Sequence, residues 1–111
     1  MNMNTKEVGV SKLLLQYYEH SDEVALSEFF KLVQNLVFRI AYSVVHNQAD
    51  ADDLMQQTFI KIIQKDSICQ AAYELDDAKV KSWVLSIVYN FSRMFLRSKK
   101  IKSTYQLDER F

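Results

Sequence analysis

The chain contains one glycine and no proline in 111 residues. β-Hairpins and tight turns depend on both residues, because glycine reaches positive φ and proline presets the turn backbone. The composition therefore predicts an all-α protein. With 49% hydrophobic residues, the chain can bury one core but is too short for two. We expect a compact bundle of three long helices and one short N-terminal helix.

The first two helical segments follow from the spacing of apolar residues. The first is short, with Ser11 as its expected N-cap and the polar residues 19–21 after it. The second is expected over about 22–46, where apolar residues nearly encircle the helix. It should therefore pack on several neighbours and form the centre of the core.

A third helix is expected over the stretch ADADDLMQQTFIKII, residues 49–63. Asn47 ends the second helix and can cap the third, with Asp50 in the reciprocal capping position. At 100° per residue, its apolar side is predicted to consist of Ala51, Met55, Phe59, Ile62 and Ile63, with Leu54 at the margin.

The periodicity breaks over residues 65–78, where we expect an ordered or partly helical loop, and a last helix is expected over about 79–100. The apolar side of that helix is predicted to consist of Val80, Trp83, Val84, Ile87, Val88, Phe91, Met94 and Phe95. The chain thus divides into an N-terminal segment (1–20), a helical domain (21–102) and the start of a linker (103–111).

The charges are unevenly distributed, although they sum to zero. Every charged residue between positions 79 and 107 is basic, whereas positions 19–77 hold eleven acids against four bases. The last helix is therefore suited to anions.

Residues that carry catalytic or metal chemistry are sparse. One cysteine and two histidines give no internal disulfide and no metal-ligand spacing, and no cofactor is expected. Asp52 and Asp53 point in different directions around a helix, with no nucleophile or histidine placed beside them, so we expect no enzyme. No apolar segment is long enough for a signal peptide or a membrane span, which predicts a cytoplasmic protein without a membrane partner.

Acidic and amide side chains form one candidate binding surface. Carboxylates in a first helical turn are common because they complement its free N–H groups, which accounts for Asp50 and Asp52. The free N–H groups account less well for Asp53, Gln56 and Gln57, which continue the polar face past that turn. We call these three residues the docking surface and predict that it binds a basic or amide-rich partner. An ordinary solvated helix start is the alternative.

A second candidate surface, the basic strip, lies on the last helix and consists of Tyr89, Asn90, Arg93, Arg97 and Lys100. The helix dipole also favours bases near a C-terminus, so terminal lysines alone would indicate little. Arg93 and Arg97, however, lie one turn apart beside an amide and a ring, a set that can contact phosphates and an exposed base. The apolar position of Trp83 predicts a core residue instead.

In this order, ADADDLMQQTFIKII, a variable loop and VKSWVLSIVYNFSRMFLRSKK resemble bacterial RNA polymerase sigma factors of the sigma-70 type. The closer resemblance is to region 2 of the extracytoplasmic-function class, over about residues 21–102. The matching positions are Ala51, Asp52, Asp53, Leu54, Gln56 and Phe59 in the first motif, and Trp83, Ile87, Asn90 and Arg97 in the second. The resemblance implies a factor that binds core RNA polymerase and recognises and melts the promoter minus-ten element.

The resemblance also implies roles for both surfaces. The docking surface, Asp53, Gln56 and Gln57, would bind the clamp coiled coil of the largest polymerase subunit. On the basic strip, Asn90 and Arg93 would face the non-template strand of promoter DNA with Tyr89 beside them, and Arg97 and Lys100 would contact its phosphates. The 65–78 loop would hold a base flipped from the stack. An anti-sigma factor is a further partner where one exists.

Two departures from the family pattern limit these expectations. Gln57 stands where the family commonly has an acid, which removes a charge from the docking surface. The helix-turn-helix domain that follows in the family is not expected within these 111 residues. The alternative is a helical protein-interaction module or sigma-like regulator that does not bind DNA.

Overall fold

The computed structural model describes the backbone of residues 8–64 and 66–109 and the side chains of residues 8–64 and 66–100. This part of the chain consists of helices joined by loops and contains no strand, which confirms the all-α prediction. The helices are α1 (Val10–His20), α2 (Glu23–Val45), α3 (Gln48–Ile63), α4 (Gln70–Tyr73) and α5 (Asp77–Glu109). The short α4 lies within the loop that was expected to be ordered or partly helical. Among the described helices, none combines the length and the apolar character needed to cross a membrane.

The centre of the bundle is α2, as predicted. Its buried residues lie four apart and are Ala25, Phe29, Val33, Val37 and Ala41. The helix packs against α1, α3 and α5. Between α2 and α3, the rings of Phe30 and Phe59 stack with centroids 4.3 Å apart. Leu32, which the periodicity also places on an apolar side, is exposed.

Helix ends are set by side-chain caps and by left-handed residues other than glycine. The side chain of Asp22 accepts a hydrogen bond from the Ala25 N–H (3.1 Å), and Asn47 accepts one from the Asp50 N–H (2.9 Å). Ser21 and His46 then end α1 and α2 with φ of 51° and 54°. These polar residues adopt the conformation that glycine usually supplies, which lets the chain turn sharply without it.

Two predicted helix ends are wrong. Ser11 is not an N-cap: α1 begins at Val10 with Gly9 at its N-cap, and Ser11 is buried inside the first turn. The last helix begins at Asp77 rather than Lys79 and continues to Glu109, through most of the segment predicted to start a linker. Arg110 and Phe111 lie outside the described residues.

The buried faces of α3 and α5 are rotated from their predicted positions. On α3 the buried residues are Ala51, Leu54, Thr58 and Ile62, so Leu54 is central and Ile63 is exposed. On α5 they include Val80, Val84, Val88 and Ser92, whereas Met94 is 60% exposed. The hydroxyls of Thr58 and Ser92 can be buried because each donates to the carbonyl four residues earlier (2.8 and 2.7 Å). Rows of residues four apart are a common helix-packing surface, and the small hydroxyl residues continue those rows.

Candidate functional site

The docking surface is exposed on α3. Asp53, Gln56 and Gln57 all lie on the side opposite the buried row. Asp50, by contrast, is half-buried, and its carboxylate lies 3.9 Å from the Lys99 ammonium of α5. Asp50 therefore differs from Asp53 in exposure, and it has an interhelical partner that the sequence did not indicate.

Ile60 occupies the middle of this polar face and was missed by sequence reasoning. Its side chain is 55% exposed. Because it follows Gln56 by four residues and Gln57 by three, it shares their face of the helix. With Phe91 of α5 it lines a shallow groove of about 390 Å³. The surface thus has an apolar centre and a polar rim, which is the usual anatomy of a protein interface. The signal was available in the helical spacing, which places an isoleucine among the polar residues.

The basic strip is exposed along one side of α5, as predicted. All five of its residues, Tyr89, Asn90, Arg93, Arg97 and Lys100, are exposed. The Arg93 guanidinium carbon lies 5.7 Å from the centroid of the Tyr89 ring, within cation–π range. Among the described side chains, no carboxylate lies within ion-pair distance of Arg93 or Arg97. Both guanidiniums can therefore meet an external anion without first breaking an ion pair within that part of the protein.

Trp83 lies beside the strip but belongs to the core. It is half-buried and packs against the buried residues of the bundle, as its apolar position predicts. The exposed aromatic ring of this region of α5 is therefore that of Tyr89.

A cavity of about 240 Å³ lies between α1, the end of α3 and the loop that contains α4. The ring-bearing and aliphatic side chains that line it include Tyr17, Tyr18, Ile63, Ile68 and Tyr73. Tyr18 and Tyr73 are stacked, with centroids 5.8 Å apart and ring planes at 24°. A wall of rings and aliphatic groups suits a planar, weakly polar ligand. Sequence reasoning assigned no binding role to Tyr17 or Tyr18. The partners of Tyr18, Cys69 and Tyr73, lie more than 50 positions further along the chain.

The groups that could carry covalent or metal chemistry are not arranged for it in the described region. Burial raises the pKa of the Cys69 thiol, which disfavours the reactive thiolate. Among the described side chains, no group of three or more His, Cys, Asp and Glu residues could hold a metal ion.

Comparison with protein families gives one match: the model of Sigma-70 region 2 matches residues 29–101. Comparisons with curated proteins and with solved structures give no significant match. The matched segment contains the docking surface, the basic strip and the loop with α4, whereas α1 lies before it.

Proposed function

The chain belongs to the sigma-70 region 2 family, and from this premise we propose that it is the region 2 domain of an extracytoplasmic-function-type sigma factor. Domains of this family bind core RNA polymerase and recognise the promoter minus-ten element. The proposed domain covers residues 21–102 and acts in the cytoplasm. It performs no reaction itself, since the polymerase carries out RNA synthesis.

The observation that carries the proposal is that the basic strip presents exposed guanidinium groups beside an exposed aromatic ring. Arg93 and Arg97 are exposed and unpaired with any described carboxylate, and Tyr89 presents a ring beside them. A melted strand offers a line of phosphates and unstacked base faces, and both are complementary to this set. We assign Asn90 and Arg93 to the bases of the non-template strand, and Arg97 and Lys100 to its phosphates.

The docking surface supports a polymerase contact on a different helix. Gln56 and Gln57 lie one turn before the exposed Ile60 on the same face of α3. Lys61 and Gln64 line the groove beside it, so a partner would meet an apolar side chain with polar groups on both sides. We assign this surface to the clamp coiled coil of the largest subunit. With a glutamine at position 57, the contact depends less on charge and more on hydrogen bonds and apolar burial.

The cavity beside the loop is our candidate for the flipped base. Its lining by Tyr17, Tyr18, Ile68 and Tyr73 provides aromatic and aliphatic surfaces against which a base can pack. Binding of an extruded base to the domain, but not to the closed duplex, would favour the melted state by mass action.

The experiment measures binding of fluorescently labelled single-stranded oligonucleotides of random sequence across a salt series, with core polymerase present. We expect the Arg93→Ala, Arg97→Ala double variant to bind more weakly. Its log–log salt slope should fall by about 0.7 for each lost phosphate contact. The control is the Lys12→Ala, Arg39→Ala double variant, which removes exposed bases from α1 and α2. Equal affinities and slopes for the wild type and the Arg93/Arg97 variant would refute the DNA assignment.

The same experiment separates the main alternative. If the chain is a sigma-like regulator that uses only the docking surface, the Arg93/Arg97 variant should bind core polymerase as tightly as the wild type. Neither protein should then add binding of the oligonucleotide above that of polymerase alone.

A further inference from the structure

Helix α1 precedes the family-matched segment, yet it is joined by hydrogen bonds both to the loop that contains α4 and to the first turn of α5. We infer that α1 is a brace that holds this loop and the start of α5 in place, with Asp77 and Tyr18 as its positioning residues. Through them α1 shapes the cavity, a consequence for base binding that rests on the proposed function.

The first connection comes from two adjacent aspartates that serve different helices. Asp76 accepts a hydrogen bond from the Lys79 N–H (3.1 Å) and so caps α5, its own helix. Asp77 accepts hydrogen bonds from the Ser11 N–H (3.0 Å) and from the Ser11 hydroxyl. The Ser11 N–H lies in the first turn of α1, where backbone donors have no partner within the helix. Asp77 therefore supplies the cap that the α1 N-cap residue, Gly9, cannot provide.

Gly9 leaves room for this contact, and its backbone conformation does not call for glycine. Its φ of −79° is accessible to any residue. A Cβ at this position, however, would overlap the Asp77 carboxylate. The only glycine of the chain thus lies where the N-terminus of α1 meets the N-terminus of α5. Gly9→Ala should displace the carboxylate without altering α5 itself.

The second connection joins the other end of α1 to the loop. The Tyr18 hydroxyl accepts a hydrogen bond from the Cys69 N–H (2.9 Å), at the residue that precedes α4. The Tyr18 ring also stacks on Tyr73, the last residue of α4. One side chain of α1 therefore contacts both ends of this short helix. Tyr18 and Tyr73 also line the cavity, together with Tyr17.

The brace can be weakened without dismantling the bundle, because α2, α3 and α5 also pack directly against one another. Loss of either connection should therefore increase opening of the loop while the central core stays protected. Binding of a base in the cavity should weaken, whereas contacts of phosphates with the basic strip should persist.

The first measurement is amide hydrogen exchange of the full chain in the variants Gly9→Ala, Asp77→Ala and Tyr18→Phe. We expect exchange in residues 66–76 to accelerate roughly fivefold, the factor that corresponds to loss of one hydrogen bond of ordinary net strength. Amides of α2 should be unchanged. Gln16→Ala, an exposed substitution in the same helix, is the control and should match the wild type. Asp77→Asn keeps an acceptor oxygen and should restore much of the protection that Asp77→Ala loses.

The second measurement compares two probes in the presence of core polymerase: an oligonucleotide selected from the random pool, and the same strand with abasic sites at successive positions. For the wild type we expect one position at which base removal weakens binding. In Tyr18→Phe and Asp77→Ala that penalty should be smaller than in the wild type, by up to about fivefold, with binding of the abasic strand unchanged.

The outcomes separate the inference from the proposed function. Unchanged exchange in all three variants would overturn the brace. Accelerated exchange with an undiminished base penalty would overturn the positioning role of Asp77 and Tyr18. If the wild type shows no base penalty at any position while exchange accelerates as expected, the brace is supported and base capture, as part of the proposed function, fails.

Discussion

Asp77 accepts hydrogen bonds from both the backbone N–H and the hydroxyl of Ser11, a residue 66 positions earlier in the chain. Since Asp77 is also the first residue of α5, the two helices begin at one shared contact. The carboxylate thus couples the segment that precedes the family-matched region to the helix that carries the basic strip.

The Asp77 contact should make the free energy of unfolding depend on pH in the acidic range. Hydrogen bonds from Ser11 lower the pKa of Asp77 below its ordinary value of 3.8, so the unfolded chain takes up the proton first as the pH falls. The stabilisation is therefore complete above the ordinary value and is lost as the pH falls through the folded-state pKa. We expect Asp77→Ala to be less stable than the wild type at pH 7, by about 1 kcal/mol, and this difference to shrink below pH 4. Urea unfolding followed by circular dichroism measures it. A difference that stays constant from pH 7 to 3 would contradict the prediction.

Tyr18 should produce the opposite dependence at high pH. Burial raises the pKa of Tyr18 from 10.0 to about 12, so the unfolded chain loses this proton first as the pH rises. The neutral hydroxyl's contribution is present below pH 10 and disappears between pH 10 and 12. Over this interval the free energy of unfolding of the wild type should fall relative to that of Tyr18→Phe, which has no such group. Urea unfolding at pH 9, 10 and 11 tests this, and parallel curves for the two proteins would contradict it.

Polymerase binding should depend on the docking surface. We expect Asp53→Ala and Gln56→Ala each to weaken binding of core polymerase about fivefold, the effect of losing one hydrogen bond of ordinary net strength. Both residues are exposed, so circular dichroism and the melting temperature should remain those of the wild type. Gln34→Ala removes an exposed amide from α2 and serves as the matched control. Equal retention of all three variants and the wild type on immobilised polymerase would refute the assignment.

Substitutions at Leu54 and Ile60 should affect different properties, although both residues lie on α3: the first should change the stability of the fold and the second the binding of polymerase. Leu54 is buried and Ile60 is 55% exposed. Leu54→Ala leaves a cavity and should reduce the free energy of unfolding by about 2–5 kcal/mol, whereas Ile60→Ala should change it by about 0.5 kcal/mol or less. Ile60→Ala should nevertheless weaken polymerase binding, because it removes the apolar centre of the docking surface. Comparable destabilisation by the two substitutions would contradict the observed rotation of α3.

Features set by near neighbours in the chain could be predicted well. The Asn47 cap needs only the N–H of a residue three positions later, and the exposed side of the basic strip follows from the helical period and the polarity of its residues. Features set by packing were predicted less well. Leu54, expected at the margin, is buried, and Met94, expected in the core, is exposed. The direction in which each helix faces depends on its neighbours, and here it shifts the buried face by part of a turn.

The sequence by itself determined that this chain folds as helices, that Asn47 caps α3, and which acidic, amide and basic side chains lie together. Each of these depends on residues within one or two helical turns, where spacing along the chain is also spacing in the structure. Only the tertiary structure decided that Asp77 caps α1, that a side chain at position 9 would overlap the Asp77 carboxylate and that Tyr18 holds the loop. Those contacts join residues more than 50 positions apart, and they exist only because packing of the bundle brings α1 against the loop and the start of α5.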